Sequence, residues 1–153
     1  MLCALVLVAA ACGDDDSSAD TSADAPTTTE AAAGPTTGPA SIVAEDQMSD
    51  GTSIVVASVD LPTEGYIVVH ADADGSPGPL LGWSDLLPAG TSTDVTVTLN
   101  APLDGDATVW PMAHVDADGD HVYEFMPPDE TTDVPATTAD GKIAVVPIEV
   151  TVG

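Results

Sequence analysis

The sequence predicts an all-β domain, an antiparallel β-sandwich of about seven strands, and three observations carry that prediction. Val and Thr number 18 each among 153 residues, against only five aromatics, a composition suited to pleated strands rather than helices. Seven strand-like runs recur between turn signals rich in Gly, Pro and Asp, which is the rhythm of a sandwich. Together they fill residues 41–153, about 113 residues, the size of one such domain.

In order, the runs are Ile42 to Asp46, Ser53 to Leu61, Tyr66 to Ala71, Leu80 to Ser84, Thr93 to Leu99, Ala107 to Val115 and Ile143 to Val152. The fifth alternates most clearly, Val95, Val97 and Leu99 against Asp94, Thr96 and Thr98, so one face is buried and the other wetted. The last repeats the pattern, with Ile148, Val150 and Val152 set against Glu149 and Thr151. Trp110 alternates in phase with Met112, which predicts a core filler, with Trp83 as the other large one. Pro111 and Pro147 each remove a ladder donor, which predicts an edge position or a bulge. Five Asp-Gly dipeptides, at 50/51, 74/75, 104/105, 118/119 and 140/141, supply the positive-φ positions that hairpin turns require. No long amphipathic helix is written into the pattern, and Ser84 to Ala89 has room for one helical turn at most.

Ahead of the domain the composition changes twice. Residues 2–11 form an uninterrupted apolar run, too short to cross a ~30 Å hydrocarbon core as a helix and fitting the h-region of a signal peptide. The run ends in Ala9-Ala10-Ala11-Cys12-Gly13. This resembles the lipobox of bacterial lipoproteins, with Ala9 standing where that pattern prefers Leu or Val. The resemblance implies a signal peptide over residues 1–11 and a lipid on Cys12, which becomes the new N-terminus. No positively charged n-region precedes the run, as expected of a start placed too far downstream or of a trimmed chain. Residues 12–40 then comprise the lipidated cysteine and an acidic tether. Gly13 to Ala40 contains only Gly, Asp, Ser, Ala, Thr, Pro and Glu, a composition that cannot offset its ordering entropy by burial. As a flexible coil it reaches about 30 Å. With Cys3 removed and Cys12 lipidated the mature domain has no thiol, and so no disulfide, thiolate metal site or cysteine nucleophile.

Charge narrows the function classes. The chain carries 26 Asp and Glu against Lys142 alone, a net charge of −25, which excludes nucleic acid and electrostatic adsorption to an anionic membrane. Twenty of those acids lie in 41–153, leaving the domain near −19. There is no Gly-x-Ser-x-Gly elbow and no His-Glu-x-x-His. No carboxylate spacing separates an acid from a base, and without Arg the chain lacks the usual anion clamp. A non-catalytic domain is expected.

Two loops carry the same motif. His70-Ala71-Asp72-Ala73-Asp74-Gly75 and His114-Val115-Asp116-Ala117-Asp118-Gly119 share His-x-Asp-Ala-Asp-Gly, each at a strand end. Alternate carboxylates in a glycine-containing loop can converge on Ca²⁺, which takes six to eight oxygens. The second copy runs on through Asp120 to Glu124, so Asp116, Asp118, Asp120 and Glu124 form the candidate site. It is not an EF-hand loop, because its Gly is misplaced and Pro127 occupies position 12. The competing reading is a solvated turn held by side-chain-to-backbone hydrogen bonds. Loops that follow neighbouring antiparallel strands lie at opposite ends, so the two copies are not expected to share a site. A weaker alternative is a copper or zinc site from His114, His121 and Met112 with Met126, against a core methionine and loop-edge histidines.

Several stretches together carry a wider likeness: Glu45-Asp46-Gln47-Met48-Ser49-Asp50-Gly51-Thr52, Leu61-Pro62, Gly65 to His70, Leu87-Pro88-Ala89-Gly90-Thr91, Pro102-Leu103-Asp104, and Met112-Ala113-His114 leading to Tyr123-Glu124-Phe125. They resemble a domain of unknown function found in predicted archaeal and bacterial cell-surface proteins, over essentially all of 41–153. The resemblance implies an immunoglobulin-like fold and no assigned chemistry. The expected protein is therefore a membrane-anchored lipoprotein, extracytoplasmic on the outer face of the cell membrane. Its sandwich is a structural or interaction module for cell-wall polymer or another surface protein, with Ca²⁺ binding by the 116–124 loop as the alternative.

Overall fold

The structure is a computed structural model and describes residues 38–125 and 132–153. The signal-peptide run, Cys12, nearly all of the tether and Met126 lie outside the described residues.

Nine strands make up the described chain: β1 (Ser41–Val43), β2 (Gln47–Ser49), β3 (Ser53–Leu61), β4 (Gly65–Asp72), β5 (Pro77–Trp83), β6 (Gly90–Leu99), β7 (Ala107–Asp116), β8 (Asp133–Pro135) and β9 (Ile148–Val152). Among the described residues there is no helix. The strands pair in the order β1-β3-β6-β5-β4-β7-β9-β2, with β8 also on β7. This continuous sheet curls so that β3 and β6 pack across a core from β4, β7 and β9. The neighbourhoods A–B–E and C–F–G of the immunoglobulin fold reappear as β1-β3-β6 and β4-β7-β9. The sandwich read from the sequence is therefore the fold.

Alternation places the core. Ile54, Val56, Val59 and Leu61 of β3 and Val95, Val97 and Leu99 of β6 meet Ile67 and Val69 of β4, Val109 and Ala113 of β7, and Ile148 and Val150 of β9. Period 2 breaks once, because the inward face shifts from Val56 to Val59. Asp94 stands there on the paired strand with φ 52°, a left-handed position that aspartate tolerates better than most residues. Across this irregularity β3 keeps apolar side chains inward on both sides, Ile54 and Val56 before it and Val59 and Leu61 after it.

Several details differ from the sequence expectation. The strand expected over Ile42 to Asp46 stops at Val43 as β1, which pairs with β3, and a second short strand beyond that range, β2, pairs with β9 in parallel. The final strand starts only at Ile148. Pro147, which has no N–H, precedes it, and Ile143 and Val145 contribute isolated bridges instead. Pro111 is not at an edge, since β7 pairs with β4 throughout this stretch. It falls where the β7–β9 ladder, continuous over Ala107 to Val109, thins to the single bridge Met112–Val145. Of the five Asp-Gly glycines, Gly51, Gly75, Gly119 and Gly141 adopt positive φ and Gly105 does not. Asp74 and Gly75, with φ 55° and 80°, form the two-residue turn between β4 and β5, as a type I′ hairpin requires. Neither tryptophan fills the core. Trp83 is 41% exposed, and Trp110 lies half-buried on the outward face of β7, its indole N–H donating to Asp72 at 2.8 Å.

Candidate functional site

β4 and β7 are covered on both faces. Tyr66 and Val68 of β4 and Met112 and His114 of β7 point away from the sandwich core, yet all four are buried. What covers them is the chain that follows β7, together with the end of β5. Tyr123 packs on Tyr66, Trp83 and His114 at ring separations of 5.5, 5.3 and 5.8 Å, and Phe125 lies 5.2 Å from His114. Aromatic contacts of this kind add to the area they bury.

His114 is the polar centre of this second apolar layer. It has no solvent exposure, and neither ring nitrogen makes a hydrogen bond of ordinary geometry among the described residues. Burial pushes its pKa down from 6.5 to about 4, with His70 adding to the shift and a contact with the Met112 backbone opposing it, so the ring is neutral at pH 7. His70 stacks 6.3 Å away. Its Nδ1 lies 2.9 Å from the Gly78 carbonyl, while its Nε2 is buried without a partner among the described residues.

The acidic loop begins where β7 ends. Asp116 accepts from the Gly119 N–H at 2.8 Å and the His121 N–H at 3.1 Å, Asp118 from Asp120, and Asp120 from Val122. Gly119 and His121 take the left-handed conformations that such a reversal needs. One carboxylate oxygen each of Asp116, Asp118 and Asp120 lies within 4.8 Å of the others, with Asp116 buried and the other two exposed. The structure thus brings together three of the four carboxylates read from the sequence. Glu124 is outside the group, exposed, and engaged through its backbone N–H, which donates to Asp133.

Asp133 was not foreseen. It stands opposite Asp116 in the β7–β8 pair, has no solvent exposure, and keeps its second oxygen buried without a partner among the described residues. Burial raises its pKa, as do Asp116, Asp118 and Asp120, against the hydrogen bond from Glu124. The Tyr66 hydroxyl is likewise buried and unpartnered among the described residues. Its pKa is pushed up to about 12, first by burial and then by Asp116, Asp133, Asp120 and Asp118. The sequence signal for this region was the unbroken apolar run Tyr66 to Val69, since a strand apolar on both faces is covered on both.

The remaining candidates are dispersed. Met112 and His114 share the outward face of β7, but His121 is exposed and pairs with Glu64 at 3.2 Å, so the structure does not gather His114, His121 and Met112 around one point. The Asp72 loop lies at the far end of β4, antiparallel to β7, and its carboxylate is held by the Gly75 N–H and Trp110.

Comparison with known proteins bears on the domain as a whole. A family model described as Domain of unknown function (DUF7282) matches residues 40–151. Cell surface glycoprotein 1 of Haloarcula hispanica is 36% identical over 114 residues, 73% of this chain and 12% of that protein. Cell surface glycoprotein 2 of the same organism is 42% identical over 86 residues, 56% of this chain and 9% of that protein. The chain thus spans about a tenth of the length of these curated relatives. No solved structure matches it.

Proposed function

The chain belongs to the family described as Domain of unknown function (DUF7282), and on that basis we propose that it is an extracytoplasmic, non-catalytic surface module held to the membrane by a lipid on Cys12. The observation that carries this reading is the similarity, across the sandwich, to two proteins named as cell surface glycoproteins. The domain's own chemistry supports it. Its stability draws on two apolar layers with no thiol in residues 41–153, and its surface is strongly acidic. The partner is cell-wall polymer or another surface protein, which the tether would let the sandwich reach at about 30 Å from the bilayer. Two acyl signals or more make such an anchor stable where one would not. The test is fractionation of cells expressing the full chain: membrane association, cleavage by external protease, and release on Cys12→Ser are expected. Protection from protease would overturn the surface placement, and a Cys12→Ser chain still held in the membrane would overturn the lipid anchor.

A second reading is Ca²⁺ binding by the loop after β7. The convergence of Asp116, Asp118 and Asp120 within 4.8 Å favours it.

A further inference from the structure

Resting on the Ca²⁺ reading and deepening it, we propose that Asp133 is the buried fourth carboxylate of a Ca²⁺ site formed with Asp116, Asp118 and Asp120. The three loop carboxylates do not by themselves point to an ion. Each accepts a backbone N–H from a residue two to five positions on, and a solvated turn would use them in the same way.

Asp133 has no such explanation. It comes from β8, outside the loop, and directly faces Asp116 across the strand pair, so the two side chains stand on the same face of the sheet. One oxygen serves the Glu124 N–H. The other is buried without a partner among the described residues, and an unpaired buried carboxylate oxygen costs far more than an exposed one. Three further carboxylates press on it from the loop. The Tyr66 hydroxyl, also buried and unpartnered among the described residues, has its pKa raised by the same four carboxylates.

A cation resolves this arrangement. The donors are all oxygen, which selects a hard ion over copper or zinc. Four negative charges suit a divalent one. The donors are irregularly placed on a loop and a strand, which Ca²⁺ accommodates and Mg²⁺, with its strict octahedron, does not. Carbonyls and water complete the six to eight ligands. Because Asp116 to Asp120 lie on the chain leaving β7 and Asp133 on the strand that returns to it, the ion ties the two together.

The test is titration of the full chain, stripped of divalent ions by chelator and held at constant ionic strength, with CaCl₂ followed by calorimetry and thermal melting. Saturable heat and a rise in Tm are expected. Asp133→Asn should weaken Ca²⁺ binding about 10- to 100-fold, yet melt no lower than the parent in chelator, since it removes a buried charge. Asp118→Asn should also weaken binding, and Asp140→Asn should leave it unchanged. No saturable heat in the parent overturns Ca²⁺ binding altogether, an equal response to MgCl₂ overturns the preference for Ca²⁺, and either leaves the surface-module reading standing. Undiminished binding by Asp133→Asn overturns the role of Asp133 alone. So does an Asp133→Asn chain that fails to fold in chelator, because Asp133 would then be needed without any ion.

Discussion

At the scale of single residues, the most consequential side chain is His114, fully buried beneath Tyr123 and Phe125 with neither ring nitrogen hydrogen-bonded among the described residues. His114 was legible as a loop-edge group because it opens a repeated motif. Its burial was not, because the aromatic side chains that cover it are Tyr123 and Phe125, and sequence order does not reveal that the chain folds back. Its folded pKa of about 4 lies below the ordinary 6.5. Between those values the unfolded chain binds a proton that the folded one does not. The His114 contribution is therefore intact above about pH 6.5 and is lost as pH falls toward 4, by about 3 kcal/mol in full. His114→Phe keeps the ring and removes both unpaired nitrogens. It should melt no lower than the parent at pH 7 and lose less on acidification to about pH 4.5. A variant that loses as much Tm as the parent over that interval would contradict the assignment. Asp133 was hidden for the opposite reason: an isolated Asp in a polar stretch carries no sign that a three-residue strand will bury it.

At the scale of elements, alternation located the long strands better than it located their ends: β3 has the expected bounds, whereas β6 starts at Gly90 and not Thr93, and β9 at Ile148 and not Ile143. β6 and β9 bury one face and wet the other, so period 2 located them. β5 resisted because its role is to join the two layers: Gly82 pairs with Val69 of β4 and with Leu99 of β6. No side chain fits there, since a Cβ on Gly82 would stand 2.4 Å from the Thr98 carbonyl oxygen. Gly82→Ala should accordingly cost about 1–3 kcal/mol, as overpacking does elsewhere. Urea unfolding measures it, and an unchanged midpoint would show that the two layers can part slightly at no cost. The early end of the first strand was illegible for a related reason. Residues 44–46 carry the chain from one layer to the other, and a run of five residues gives no sign of where its partners change.

At the scale of the whole molecule, charge dominates. Residues 41–153 hold 20 acids and one Lys, and that Lys142 is paired to its near neighbour Asp140 on the surface, where ion pairs contribute little. Self-repulsion is therefore relieved mainly by the solvent. Tm should rise from about 0.1 M to molar NaCl as the Debye length contracts from about 10 to 3 Å. A melting temperature indifferent to salt would mean that the carboxylates are too far apart to matter. Mild acid acts in both directions. It relieves Asp133, whose raised pKa means the folded state takes up a proton more readily than the unfolded one, and it penalises His114.

The parallel pairing of β2 with β9 has a mechanical meaning for the domain. Tension between the chain entering β2 and the chain leaving β9 draws the two strands lengthwise past each other. The pairs Gln47–Val150, Met48–Thr151 and Ser49–Val152 then bear the load simultaneously, so this seam yields by shear and not by peeling one bond at a time.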